Sequence, residues 1–353
     1  MRAPLFTSKI TLTPGEACRD QGERGVSPVR VACRHGAPVT MRHMEVRHPR
    51  IPTWGYQVLL ATVAAIWGGS FIVLKGALGQ MTPGWLLTLR FALSTLVMVA
   101  LFWRRLAANL DWSHVLAGLL IGIPEGLAFL VQNVGLDGTT PGRNAFLTTT
   151  YCVMVPFLNW AVTRHRPHAN NVVGALLCLA GVGFLSLDGS MGLYLGRGDL
   201  LTLVSAVLFA LNIVAVGRVG SAHDAVTMTI VMFAVSSLIC LGYSLAVEPT
   251  PNFATLTPDF WAQMAYVVLL SSVAALLIQN VAQQHVQPAK AALLLSLESV
   301  FAVLFSVTLY GEALTPQLAV GFALIFVAVL VSEIWVGRRA ASEIESHEVP
   351  ARD

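Results

Sequence analysis

Arg90, Glu125 and Glu298 lie inside otherwise apolar stretches of this 353-residue chain. If those stretches cross a bilayer, each charge costs at least ~2.5–3.5 kcal/mol to insert, so it must face a partner or an internal cavity. A carboxylate so placed can carry a proton, because desolvation disfavours its charged form until the cavity opens to water. Glu298 is the first candidate for that work; its alternative is a structural tie to Arg90 or a helix-packing hydrogen bond. Glu125 follows Pro124, which removes a backbone hydrogen bond in mid-helix, and an interrupted helix beside a polar group marks a transport site. Gly118, Gly122 and Gly126 nearby form a small-residue stripe suited to close packing. Arg90 could hold a substrate carboxylate through a two-toothed contact, or permanently neutralise Glu125 or Glu298.

Weaker candidates surround these three. Trp67, Tyr151 and Thr148-Thr149-Thr150 fall near mid-membrane, where aromatic and hydroxyl groups suit an amphipathic cavity, though bundle packing explains each alone. Gln132 and Asn133, with Gln279 and Asn280, occupy corresponding places near opposite faces. They could gate alternately or simply bond neighbouring helices. Lys75, near a helix end, is read as snorkelling to the interface. Cys152, Cys178 and Cys240 are read as core-packing residues, and the five cysteines match neither a disulfide framework nor a metal motif.

The elements that must position these groups are membrane helices. The chain is 55% apolar and 12% charged, against about 25% charged in soluble domains; its mean hydropathy is +0.68. Apolar blocks of about 20 residues match the ~30 Å hydrocarbon core, and in lipid such blocks must be helical. Ten spans are expected, at 57–77, 84–103, 113–134, 141–163, 171–187, 199–217, 225–247, 260–281, 288–309 and 316–336. Residues 1–55 hold nine of the 22 Lys and Arg residues and no spanning block. They are expected to be a disordered cytoplasmic tail, or to precede a true start at Met41 or Met44. Residues 337–353 form a second tail.

With the N-terminus inside, inner connections carry Arg47, Arg50, Arg104, Arg105, Arg164, Arg166, Arg218, Lys290, Arg338 and Arg339. The outer ones carry Lys75, Arg143 and Arg197. This bias predicts cytoplasmic termini. The two halves also repeat. Phe91–Leu96 matches Phe233–Leu238 at an offset of 142, and Gln132-Asn133-Val134 matches Gln279-Asn280-Val281 at 147. Pro141 falls on Pro288, Arg143 on Lys290 and Gly174 on Gly321. Five spans per repeat, an odd number, set the copies (57–187 and 199–336) upside down to each other, an arrangement typical of secondary transporters.

Ile66-Trp67-Gly68-Gly69-Ser70-Phe71, Leu89-Arg90-Phe91, the stretch Pro288 to Glu298 and Gly311-Glu312-Ala313-Leu314-Thr315-Pro316 together resemble the drug/metabolite transporter superfamily, and within it the EamA-type permeases. The resemblance covers about residues 57–337. It implies an all-α integral membrane protein of ten helices in two inverted five-helix repeats, exporting amino acids, metabolites or drugs. One departure stands out: such proteins often carry proline after the ninth-span glutamate, where this chain has Ser299, so a kink there is in question. The expected activity is secondary export of small organic solutes across an inner membrane by alternating access, with protons as a possible coupling ion. A lipid or lipid-linked flippase is the alternative. No Gly-Lys-Ser/Thr nucleotide loop occurs, so ATP is not the direct energy source. No His-rich or Asp/Glu-rich pair at helical spacing supports a membrane enzyme, and neither a cofactor nor a nucleic-acid partner is expected. Substrate identity and oligomeric state stay open.

Overall fold

The computed structural model describes residues 52–164, 166–167, 169–186, 196–311 and parts of 315–331, with residues 30–31 and 39–40. Chain contacts divide after Arg50. In the first unit, β1 (Arg30–Val31) pairs antiparallel with β2 (Val39–Thr40). Of the expected tail at 1–55, the last residues are helical, since a helix begins at Thr53; the rest, these strands apart, lies outside the described residues, as does the tail at 337–353.

The second unit is helical. Its elements are α1 (Thr53–Leu78), α2 (Pro83–Asn109), α3 (Trp112–Asp137), α4 (Pro141–Thr148), α5 (Tyr151–Thr163), α6 (Ala169–Ser186), α7 (Arg197–Val219) and α8 (Ala225–Val247). There follow α9 (Pro258–Tyr266), a π-helical segment (Val267–Ala274), α10 (Ala275–Gln283), α11 (Pro288–Leu295), α12 (Leu297–Phe305) and a second π-helical segment, Ser306–Tyr310. Joined end to end where they abut, they give eight helices long and apolar enough to cross a membrane. Of the ten expected spans, the fifth and tenth correspond to shorter apolar helices, Ala169–Gly181 and Ala319–Ala328, the latter in part outside the described residues.

The starts of these helices follow from local chemistry. Thr-Pro opens α2, α4 and α9: proline lacks the N–H that the first turn cannot bond. Thr140 accepts the Arg143 N–H in α4, and Asp111 and Asp224 cap α3 and α8 by accepting the amides of His114 (2.8 Å) and Thr227 (2.9 Å). Asp224 is pulled below the ordinary aspartate range: burial opposes this, but the Thr227 amide and the Arg105 guanidinium outweigh it.

Two helices break where the sequence gives the backbone an alternative partner. Between α4 and α5 the Thr149 and Thr150 hydroxyls donate to the carbonyls of Phe146 (2.7 Å) and Leu147 (2.8 Å). Between α11 and α12 the Ser296 hydroxyl donates to Leu293 (2.7 Å) and that of Ser299 to Ser296 (2.8 Å). Such bonds compete with the i−4 ladder and tighten the turn. Thr149 and Ser296, at the two breaks, stand 147 positions apart, in the register of the repeat. The discontinuity in the ninth span therefore falls at Ser296, ahead of Ser299. The interruption expected at Pro124 is not seen: α3 runs through it unbroken. Carbonyls in that turn accept from neighbouring helices instead, Ile121 from Asn212 (2.9 Å) and Gly122 from Ser236 (3.3 Å).

α3 packs on α7 and α8, α2 on α8, and α1 on α12. Gly118, Gly122 and Gly126 form the α3 face against Val231, Met232 and Ser236 of α8, so the stripe is a packing surface. Outward faces carry Leu96, Leu101, Leu116, Leu120, Leu200, Leu238 and Leu245, all exposed. This is the inverse of a water-soluble surface and suits lipid.

A Cβ at Gly126 would sit 2.8 Å from the Ser236 Cα, which has no room to yield. Gly126→Leu is therefore expected to cost ~1–3 kcal/mol and lower the melting temperature in detergent by roughly 5 °C. Gly242→Ala, with nothing within 4 Å of the new methyl, should not change it. Thermal unfolding of the two purified variants beside the parent protein checks both outcomes.

Candidate functional site

The helix breaks border an interior cavity of about 30 Å³, room for only a few water molecules at the ~10–15 Å³ each requires. Most of its lining comes in pairs related by the repeat. Trp67 and Phe209, Ser70 and Asn212, and Phe71 and Ile213 stand 142 positions apart. Gln132 and Gln279, Thr148 and Leu295, and Tyr151 and Glu298 stand 147 apart. Leu74, Glu125 and Phe129 complete the wall. Corresponding residues of the two halves thus meet around one space.

Six of the nine residues singled out from the sequence line this cavity: Trp67, Glu125, Gln132, Tyr151, Gln279 and Glu298. Glu125 and Glu298 are both almost wholly buried. The Tyr151 hydroxyl faces the Glu298 carboxyl at the edge of hydrogen-bonding range, with the geometry of the bond incomplete. Glu125 Oε2 and Gln279 Oε1 are likewise buried without a hydrogen-bond partner. Unpaired polar atoms are costly in a protein interior, and here three point to one cavity. Gln132 is held by donating to Thr148 (3.0 Å) while its own backbone carbonyl accepts from Asn144 (3.3 Å).

Arg90 is elsewhere. It is fully buried on α2 but does not line the cavity. Its Nε donates to the Ser272 hydroxyl (2.6 Å) and one terminal nitrogen to that of Ser271 (3.2 Å). Its guanidinium lies 4.5 Å from the Phe129 ring centroid and 5.3 Å from that of Phe91. Glu125 is near enough for the charges to interact, yet among the described residues no carboxylate forms an ion pair with Arg90. Cation–π contact and two hydroxyl acceptors hold the charge instead.

Both serines belong to the π-helical segment, whose extra residue per turn lets Ser272 donate to the Val267 carbonyl (2.9 Å) five residues back. The Ser271 carbonyl accepts the Trp67 indole N–H (2.9 Å), and Tyr266 just before donates to the Ile66 carbonyl (3.0 Å). One irregular turn therefore orients a cavity-lining indole on α1 and the buried arginine on α2. Of the remaining candidates, Asn133 bonds within its own helix to Phe129 (2.9 Å) and Asn280 donates to Thr229 (2.8 Å); neither lines the cavity. Sequence reasoning missed Phe209, Asn212 and Ile213, although the offset of 142 from Trp67, Ser70 and Phe71 points to them.

The two ends of the bundle differ. At the end where α7 begins, Lys75 donates to the carbonyls of Leu136 (2.8 Å) and Asp137 (2.9 Å), so it caps α3 rather than reaching outward. Arg143 pairs with Asp199 at 2.9 Å, and Glu248 accepts the amides of Gly84 (2.9 Å) and Trp85 (3.1 Å) at the start of α2. At the end where α7 finishes, a wider cavity of about 420 Å³ opens between α5, α7 and α11, with Arg166 and Arg218 in its wall. On α7 one position separates the two cavities: Ile213 lines the inner one, Val214 the wider one.

The profile of the EamA-like transporter family matches the chain twice in tandem, over residues 54–187 and 196–333. An uncharacterized transporter of Archaeoglobus fulgidus is 34% identical over 278 residues, which cover 78% of this chain and 85% of that protein. A second from the same organism is 27% identical over 256 residues, 70% of this chain and 87% of its own. A solved crystal structure at 17% identity superposes with a TM-score of 0.64 over 79% of this chain and 98% of the other, a likeness of fold. With two family segments spanning most of its apolar helices, the chain belongs to the EamA-like transporter family of multi-pass membrane proteins.

Proposed function

We propose that the chain is a secondary transporter that moves small amphipathic organic cations, such as protonated aromatic amines, out across the cytoplasmic membrane in exchange for protons. The observation that carries this reading is the wall of the inner cavity. Among the described residues it offers two carboxyl groups and five aromatic rings (Trp67, Phe71, Phe129, Tyr151 and Phe209) and no lysine, arginine or histidine. Carboxylates and ring faces favour a cation with an apolar body. Arg90, the group that could have held a substrate carboxylate, does not line the cavity, and its Nε and one terminal nitrogen bond Ser272 and Ser271.

Exchange follows from competition. A cation needs Glu298 or Glu125 ionised; a proton arriving at the same carboxyl removes the charge and frees the cation. Alternating access supplies the two exposures, and a ligand drives it only by binding one state better than the other. Pairing of the cavity wall at the repeat offsets supports two inverted five-helix repeats, hence ten spans, that rock about a central site. The bias of basic residues supports cytoplasmic termini. In that orientation the ties at Lys75, Arg143 and Glu248 close the outer side, and the cavity with Arg166 and Arg218 opens inward.

Purified protein in liposomes, loaded with an aromatic quaternary ammonium dye, should release it faster when the outside is made more acidic than the inside. Glu298→Gln should slow this release roughly tenfold, ~1.4 kcal/mol on the barrier, and remove its dependence on the pH gradient. A Glu298→Gln variant that keeps the parent's rate and pH dependence would remove Glu298 from the coupling role. The same liposomes also test the charge preference: an uncharged isostere should leave slowly and an aromatic carboxylate not at all. Equal release of cation and carboxylate would count against the cationic reading. Release of neither, beside transbilayer movement of a labelled lipid, would favour the flippase.

A further inference from the structure

Cys152 and Cys178, neither with any part in the transport reading, come together in the fold. Their sulfurs are 3.0 Å apart, Cys152 one residue into α5 and Cys178 in the middle of α6. Both are free thiols, buried at 2% and 1% exposure. Since a disulfide bond measures about 2.05 Å, the sulfurs need close by only about 1 Å. Tyr151, next to Cys152, lines the inner cavity together with Glu298. One layer outward, Val173, Leu176 and Leu179 of α6 are exposed on the lipid-facing side. The third described cysteine, Cys240, sits in the separate packing cluster of α2, α3 and α8.

We propose that Cys152 and Cys178 form a dithiol modification site, oxidised to an intramolecular disulfide by a lipid-soluble quinone. Two S–H bonds break and one S–S bond forms; two electrons and two protons pass to the quinone, which leaves as the quinol. Water-soluble oxidants have little access to a pair this buried, whereas a quinone dissolved in the bilayer approaches across α6. The bond ties α5 to α6 near the point where the fourth span breaks. Because α5 begins with Tyr151, the tie also restrains the side of the cavity that faces Glu298, and a thiol reductant releases it.

The test uses the full chain in lipid nanodiscs, treated with a short-chain ubiquinone, acid-quenched, alkylated in denaturant and digested for mass spectrometry. The expected product joins the Cys152 and Cys178 peptides, disappears with dithiothreitol and leaves Cys240 alkylated. Cys178→Ser should leave Cys152 alkylated. Phenylarsine oxide reads the geometry apart from redox access: its arsenic should bridge the two sulfurs with loss of one water in the parent protein and not in Cys178→Ser. Full alkylation of Cys152 and Cys178 after both reagents overturns the site. Hydrogen exchange reads the tie: amides of α5 should exchange more slowly in the oxidised parent, with no change in quinone-treated Cys178→Ser. Unaltered exchange beside a complete disulfide overturns the restraint. None of these readouts depends on the identity of the transported solute.

Discussion

Within the hydrocarbon of a membrane, a polar group cannot fall back on water, so every donor and acceptor must find a partner inside the protein or border a cavity. The rest of this structure follows from that condition. The Thr149, Thr150, Ser296 and Ser299 hydroxyls turn back onto their own helices. Around Pro124, where proline supplies no N–H, Asn212 and Ser236 reach across from α7 and α8 to nearby carbonyls. Arg90 is met by two serines and two aromatic rings. Other buried atoms also go unpaired, among them Arg90 Nη1, Asn133 Oδ1 and Asn144 Oδ1, but those of Glu125, Tyr151 and Gln279 border one shared space.

The repeat builds the site and its violations charge it. Most wall positions are paired across the halves with residues of similar kind: Trp67 with Phe209, Phe71 with Ile213, Gln132 with Gln279. The ionisable positions break the pattern. Glu298 corresponds to Tyr151, and Glu125 to Ser272, the residue that holds Arg90. Symmetric packing can enclose a cavity, but two facing copies of the same carboxylate would repel each other without water to screen them. A tyrosine opposite one glutamate and a serine opposite the other avoid that conflict. The π-helical turn belongs to the same asymmetry, since it turns Ser271 and Ser272 toward Arg90 while fixing the Trp67 indole.

The sequence alone determined the membrane class, the approximate place of the spanning helices, the repeat register and the two buried carboxylates. Those features rest on the length of apolar blocks and the cost of charge in lipid, which a single chain displays without its fold. Which way each side chain points was decided by packing between helices. The glycine stripe sets the rotation of α3 against α8, and that rotation turns the neighbouring Glu125 to the cavity. The same kind of constraint turns Arg90 away, spends Asn133 and Asn280 on helix contacts and brings Cys152 to Cys178. Hydropathy is a property of each residue, whereas direction around a helix axis depends on which neighbour that helix meets, and only the tertiary structure contains that information.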